Sequence, residues 1–166
     1  MITLKNILVA TDFSEPSDAA LTYGRTLART FHATLHLVHV VGNLSSGVYG
    51  AEAYAVAMPE LQRDIEDAAR RQLDDRLIDN DEHPVATRRV LLTSDVPAAA
   101  LVDYAGRERI DLIVTGTNGR AGIAHLLMGS VAERVVRTAP CPVLTVRHPE
   151  HEFITADALV AVARAV

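Results

Sequence analysis

The chain is poor in cysteine and has no long apolar run. Its 166 residues include a single cysteine, Cys141, so no internal disulfide can form and nothing indicates an oxidising compartment. No stretch approaches the ~20 apolar residues that a membrane-spanning helix requires. These absences lead us to expect a cytoplasmic protein with neither a targeting segment nor a membrane partner.

Positive charge is also scarce. The chain has 16 Lys and Arg against 21 Asp and Glu, a formal net charge of -5. A polyanion would therefore bind against an unfavourable overall field, and we expect no nucleic-acid partner. The length, together with 49% hydrophobic residues, fits one globular domain with a single core.

Five apolar segments have the length and composition of β-strands. They are 6–10, 34–41, 87–92, 112–115 and 143–146. The first, fourth and fifth are nearly continuous apolar runs, as is typical of strands covered on both faces. Four helical patterns lie between the strands, and they begin after Ser14 and at Met58, Pro97 and Ser130. The alternation predicts an α/β fold, a doubly wound parallel sheet with helices on both faces.

The segment 42–57 interrupts this alternation. It is rich in glycine and serine and contains Tyr49 and Tyr54, so we expect a mobile surface loop. The two tyrosines could close over a ligand or pack locally, and both interpretations stay open.

The most informative segment is 115–131, with the sequence TGTNGRAGIAHLLMGSV. Three of its glycines permit positive φ and close backbone approach, so that amide N–H groups can converge on an anion. They are Gly116, Gly119 and Gly122. Gly129 and Ser130 begin a helix whose free N–H groups and positive dipole end suit a phosphate. The pattern favours a phosphate site, at which a valine in place of Gly116 or Gly129 would exclude the ligand, although similar glycines also form simple turns.

Two other nucleotide-binding motifs are absent from the sequence. There is no GxxxxGK[ST], and the first strand is followed by Asp12 and Phe13 instead of GxGxxG. The chain is therefore neither a P-loop NTPase nor a typical dinucleotide-binding protein.

The glycine spacing resembles that of the universal stress protein family. Nucleotide-binding members carry a glycine, two residues, a glycine, nine residues, then a glycine followed by serine or threonine. The matching residues are Gly116, Gly119, Gly129 and Ser130, with Arg120 and Gly122 as the usual continuation. Segments 6–15, 35–40 and 140–146 resemble the first, second and last strands of the family, so the resemblance covers about residues 2–147.

The resemblance implies a sheet of five strands in the order 3-2-1-4-5 and binding of ATP or a related adenine nucleotide, AMP, ADP or cyclic AMP. It also implies a homodimer paired through the last strand near 143–147 and a protein partner that the sequence does not identify. The family-like domain would span 1–148. Beyond it, the apolar pattern of 149–166 predicts a C-terminal helical extension.

The resemblance also implies the residues of the nucleotide site. Asp12 resembles the acid that contacts the nucleoside, and Val40 the position whose backbone reads the adenine edge. The whole implied site comprises Ala10, Thr11, Asp12, Val40, Thr115, Gly116, Gly119, Arg120, Gly122, Gly129, Ser130 and Val131. Asp12 could instead act as a helix N-terminal charge near Ser14.

Asp95 departs from the family pattern, which often has glycine two residues before the proline of the third helix. Its carboxylate could cap that helix, or it could point into the pocket and repel phosphates. No dedicated carboxylate cage is visible, so we expect Mg²⁺ to be held through the phosphates and water.

Three of the seven histidines lie close together at the second strand. Period-two geometry puts His32 and His36 on one strand face and His39 on the other, so they do not form a metal triad. We predict no metal site and no catalytic residues of the chain's own. The predicted function is that of a homodimeric stress-response regulator. Slow ATP hydrolysis or nucleotidyl transfer, with His125 as the candidate base, and a scaffold with an empty site remain alternatives.

Overall fold

A computed structural model of the chain describes residues 2–44, 52–78, 84–117 and 129–147. In chain order its elements are β1 Asn6–Ala10, α1 Glu15–Phe31, β2 Thr34–Val41, α2 Glu52–Leu77, β3 Thr87–Thr93, α3 Pro97–Arg107, β4 Leu112–Gly116, α4 Ser130–Thr138 and β5 Val143–Val146. The strands form one 5-stranded sheet in the order β3-β2-β1-β4-β5, and every pairing is parallel. The predicted fold and strand order are confirmed.

The central strand β1 is buried on both faces. Because side chains alternate along a strand, Ile7 and Val9 pack in one core layer with α1 and with Leu73 of α2. Leu8 points the other way and packs with α3 and with Val135 of α4. Helices therefore cover both faces of the sheet, which is why the central strands are apolar throughout.

Helix α1 begins and ends at recognisable signals. Ser14 is the N-cap residue, and Glu15 and Asp18 place negative charge in the first turn. The helix ends at His32, which adopts the left-handed conformation with φ 52° and donates its backbone N–H to the last turn. His32 is thus a helix cap outside β2, and the prediction that it shares a strand face with His36 is wrong.

Helix α2 begins earlier than predicted, at Glu52 instead of Met58. Residues 52–57 are therefore helical, and the expectation of a loop over 42–57 is wrong for this part. Pro59 favours a start nearby because proline is most common in the first turn. The sequence before Pro59 contains several alanines, which favour helix, and in the structure α2 extends toward the N-terminus as far as Glu52. Tyr49 lies outside the described residues.

The remaining predictions about the ends of the chain fall outside what the structure describes. Residues 149–166, the predicted helical extension, are not among the described residues. Within the described ranges, no helix has both the length and the apolar composition needed to cross a membrane.

Candidate functional site

A cavity of about 320 Å³ lies at the carboxyl ends of β1 and β4. These two strands are neighbours in the sheet at the point where the strand order reverses, so the segments that follow them diverge and leave a crevice. Nine of the twelve predicted site residues line it, namely Ala10, Thr11, Asp12, Val40, Thr115, Gly116, Gly129, Ser130 and Val131. The other three, Gly119, Arg120 and Gly122, lie outside the described residues, as does His125.

Asp12 follows β1 and fixes the start of α1. Its Oδ1 accepts hydrogen bonds from the backbone N–H of Ser14, at 3.1 Å, and from the Ser14 hydroxyl, at 2.5 Å. The same residue lines the cavity. The two interpretations of Asp12, a helix-start charge and a cavity residue, are therefore compatible.

Thr11 and Ser17 form a buried pair of hydroxyls beside Asp12. The Ser17 hydroxyl donates to the carbonyl of Ser14 at 2.8 Å, and the two hydroxyl oxygens are 3.1 Å apart. Since Ser17 has one hydroxyl proton, Thr11 donates in the Thr11–Ser17 bond. Thr11 also accepts from the backbone N–H of Phe13 at 3.0 Å. Side-chain hydrogen bonds of Thr11, Asp12 and Ser17 therefore stabilise the turn after β1.

Phe13 and His39 close this turn. Phe13 has φ 66°, and its ring centroid lies 4.2 Å from that of His39. The Nδ1 atom of His39 is 2.7 Å from the Thr11 carbonyl oxygen, and because a carbonyl only accepts, Nδ1 carries the proton. Arg76 of α2 donates to the Phe13 carbonyl at 3.0 Å, so the left-handed turn is fixed from β2 and from α2.

His36 lies on the opposite face of β2 from His39, as predicted. It is buried, and its Nδ1 is 2.8 Å from the Tyr104 hydroxyl of α3. Burial, with a smaller contribution from Arg88, lowers the pKa of His36. Among the described residues, no cluster of three or more His, Cys, Asp or Glu could hold a metal ion.

Gly116, at the end of β4, is required for packing. A Cβ built on it would lie 2.8 Å from the carbonyl oxygen of Pro16 and 2.9 Å from the carbonyl carbon. The close contact is with the first turn of α1, a rigid backbone group. From the sequence, we explained this glycine by the space that a phosphate needs. The structure adds a second reason, the close packing of Gly116 against the backbone of Pro16.

The backbone of Thr117 is hydrogen-bonded both to β5 and to the residue before α4. Its N–H donates to the carbonyl of Val146 at 2.8 Å, and its carbonyl accepts from the N–H of Gly129 at 2.5 Å. Thr117 also lines the cavity, although it was not among the predicted site residues. Ser17 was missed in the same way. Thr117 lies inside the segment 115–131 and Ser17 near the start of α1, and no local signal identifies either residue, because both positions depend on contacts made in the fold.

Helix α4 begins at the cavity. Its N-cap residue, Gly129, has an ordinary extended conformation, with φ -68° and ψ 152°. Ser130, Val131 and Ala132 form the first turn and line the cavity. Their N–H groups have no acceptor within the helix, and the positive end of the helix dipole lies at this wall.

Two residues singled out in the sequence lie elsewhere. The Asp95 carboxylate accepts from the N–H of Asn43 at 3.0 Å, and Asp95 is not among the described residues that line the cavity. It supports the segment after β2 and does not block the pocket.

Burial, and then the nearby Asp111, raise the pKa of the Cys141 thiol, which disfavours the reactive thiolate.

The sequence and the fold both resemble those of known proteins. The profile of the Universal stress protein family matches residues 3–147. A universal stress protein of Methanocaldococcus jannaschii is 33% identical over 148 residues, which cover 89% of this chain and 85% of that protein. The solved structure of a universal stress protein, UspA, from Lactobacillus plantarum has a TM-score of 0.71 and 27% identity, covering 89% of this chain and 100% of that one. A universal stress protein solved in complex with cAMP has a TM-score of 0.52 and 25% identity, covering 87% and 98%.

Proposed function

The chain belongs to the universal stress protein family, and from that premise we propose that its cavity binds an adenine nucleotide. Occupancy of the site would regulate association with another protein in the cytoplasm. A ligand regulates in this way only if it binds two states of the protein with different affinity.

The observation that carries the proposal is the convergence of separate segments on one cavity. Residues after β1, at the end of β2, after β4 and at the start of α4 all line it. The α4 side supplies N–H donors and a helix dipole for a phosphate. The β1 side supplies the Asp12 carboxylate, which can accept from ribose hydroxyls or from the adenine amine.

The nucleotide class follows from the relatives and from the chemistry of the walls. The relative solved with cAMP has the same fold. ATP, ADP, AMP and cyclic AMP share an adenosine and at least one phosphate, the two parts that these walls can bind. If Mg²⁺ accompanies ATP, the phosphates and water would hold it, because Asp12 is the one carboxylate among the described cavity residues and Ser14 occupies its Oδ1.

We propose regulation and not catalysis as the main activity. The titratable side chains of the described cavity lining are Asp12 and His39. Asp12 accepts from Ser14, and the Nδ1 of His39 faces a backbone carbonyl. Slow ATP hydrolysis is the second candidate. Analysis of the nucleotide after long incubation separates the two, since a regulator returns ATP unchanged.

The binding proposal is tested by calorimetric titration with ATP, AMP and cyclic AMP. We expect saturable binding of at least one of them, and loss of binding in Gly129→Val. Gly129 already has a conformation open to any residue, so the variant should fold while its side chain narrows the cavity. An unchanged unfolding midpoint is the control. Normal affinity in this variant, or no binding by the unaltered chain, would contradict the proposal.

We also propose a homodimer through β5. This strand is one edge of the sheet, and an exposed edge can pair with a second chain. The carbonyl of Pro142 accepts from Ile113 and that of Val146 accepts from Thr117. Because strand residues alternate, the backbone groups of Thr145 are directed away from β4.

Thr145→Pro tests this interface because it removes an outward N–H without removing a bond to β4. We expect the unaltered chain and the control Thr145→Val to have the mass of a dimer in light scattering, and Thr145→Pro that of a monomer. A dimeric Thr145→Pro would exclude β5 as the interface.

A further inference from the structure

We propose that Arg76 of α2 is a positioning residue for the cavity, although it is not among the described residues that line it. Its guanidinium holds the turn after β1, and that turn carries Asp12 into the cavity. The inference rests on the proposed function, because it names a residue outside the cavity that sets the affinity of the same site.

The turn after β1 needs support because Phe13 is in the left-handed conformation. Its φ is 66°, in a region that a residue with a large side chain occupies only at a cost in free energy. Such a conformation persists where the surrounding structure holds it. Asp12 precedes Phe13 directly, so a change in the Phe13 backbone would redirect a residue that lines the cavity.

Arg76 contacts both the backbone and the ring of Phe13. Its Nη2 donates to the Phe13 carbonyl at 3.0 Å, and its guanidinium carbon lies 5.0 Å from the centroid of the Phe13 ring. A cation over an aromatic ring is attracted by the negative charge on the ring face. The left-handed residue is therefore held at two points by one side chain from α2.

The guanidinium of Arg76 is itself oriented by α1. Its Nε and Nη2 donate to the two carboxylate oxygens of Asp18, at 2.6 and 3.2 Å. The planar fork of arginine fits a carboxylate in this way, whereas the single ammonium of lysine does not. Arg76 thus joins the first turn of α1 to the turn that precedes it, in one defined orientation.

This contact also works in the reverse direction. Coupling between two sites changes both by the same free energy, so a nucleotide that binds Asp12 strengthens the hold of Arg76 on the turn. Under the proposed function, α2 thereby responds to occupancy of the cavity, although no α2 residue is among its described lining.

Arg76→Met tests the proposal in the full chain, with Arg70→Met as the matched control. Methionine keeps the helix propensity of arginine and removes its donors. Arg70 lies on the same helix and pairs with Glu66 and Asp67 inside it, so its replacement removes the same charge without changing the turn. By calorimetry we expect Arg76→Met to bind AMP and adenosine at least about fivefold more weakly than the unaltered chain, and Arg70→Met to bind both within about twofold of it.

Amide hydrogen exchange separates positioning from a purely structural link between α1 and α2. The N–H groups of Phe13 and Ser14 are bonded to Oγ1 of Thr11 and to Oδ1 of Asp12. Without nucleotide, both should exchange at least about fivefold faster in Arg76→Met than in the unaltered chain, because the turn opens more often.

Unchanged exchange at Phe13 and Ser14 in Arg76→Met would overturn the proposal, since the turn would not need the guanidinium. Faster exchange with unchanged affinity would overturn it too, because Arg76 would then only stabilise the fold. An equal loss of affinity in Arg70→Met would assign the effect to the charge of α2 and would also overturn it. If the unaltered chain binds neither AMP nor adenosine, the proposed function fails instead, and the exchange measurement still tests whether Arg76 holds the turn.

Discussion

On the β1 side of the cavity, Thr11, Asp12 and Ser17 direct their hydrogen bonds to one another and to the start of α1. On the β4 side, Thr117 has a buried hydroxyl with no partner in the described protein, and α4 begins with N–H groups that its own helix does not use. The β1 side thus uses its hydroxyl donors within the protein, whereas the β4 side has N–H donors that the helix does not use. Under the proposed function, we expect the phosphate at the β4 side and the adenosine at the β1 side, where Asp12 also supports the start of α1.

The largest expected effect is at Gly116, where the two sides touch. We expect Gly116→Ala to lower the free energy of unfolding by about 2–3 kcal/mol, because its Cβ would overlap the backbone of Pro16. Urea denaturation measures the change. Gly106→Ala is the matched control, since a Cβ there meets no atom within 4 Å and alanine favours the helix. Equal stability of the two variants would mean that the sides are not in tight contact.

The second prediction concerns the β1 side. Thr11→Val should lower the free energy of unfolding by about 1–2 kcal/mol, because it removes the acceptor of the Phe13 N–H and the donor to the Ser17 hydroxyl oxygen. Thr11→Ser should retain most of the stability in the same denaturation experiment. If Thr11→Val is as stable as the unaltered chain, the hydrogen bonds on the β1 side do not stabilise the fold, and the two sides do not differ in this respect.

The smallest effect is expected from a polar pair away from the cavity, His36 and Tyr104. Burial lowers the pKa of His36, and Arg88 adds to the effect while Glu108 opposes it. The unfolded chain therefore takes up this proton at higher pH than the folded one. Stability should be complete above the ordinary histidine pKa of about 6.5 and should fall as the pH decreases below it.

His36→Gln provides the reference for that prediction. Its unfolding free energy, measured between pH 5 and 8, should lack the part of the decrease that His36 causes. Parallel pH profiles of the two proteins would show that His36 does not titrate differently on folding. Adding nucleotide should shift both profiles without changing this difference, because His36 does not line the cavity.

Much of the fold could be predicted from the sequence because its central strands are buried on both faces. Leu8 and Ile113 are fully buried, and such strands are apolar throughout, which periodicity detects. The start of α2 could not be predicted in the same way, because a tyrosine- and alanine-containing segment after glycine and serine fits a loop as well as a helix. The structure shows that residues 52–57 are helical.

The candidate site was predicted through its motif and missed where contacts are long-range. Gly116 and Gly129 were found by spacing, but the contact of Gly116 with Pro16 joins residues far apart in the chain and has no local pattern. Thr117 is similar: its position depends on hydrogen bonds to β5 and α4, and threonine after glycine has no special meaning until these partners are known.

The most direct test of the central claim is a crystal structure of the protein with AMP. We expect AMP in the cavity between the carboxyl ends of β1 and β4, with adenosine toward Asp12 and Val40. Its phosphate should lie within hydrogen-bond distance of the N–H groups in the first turn of α4. AMP bound elsewhere would contradict the proposed nucleotide site. AMP with its phosphate on the β1 side would contradict the proposed orientation.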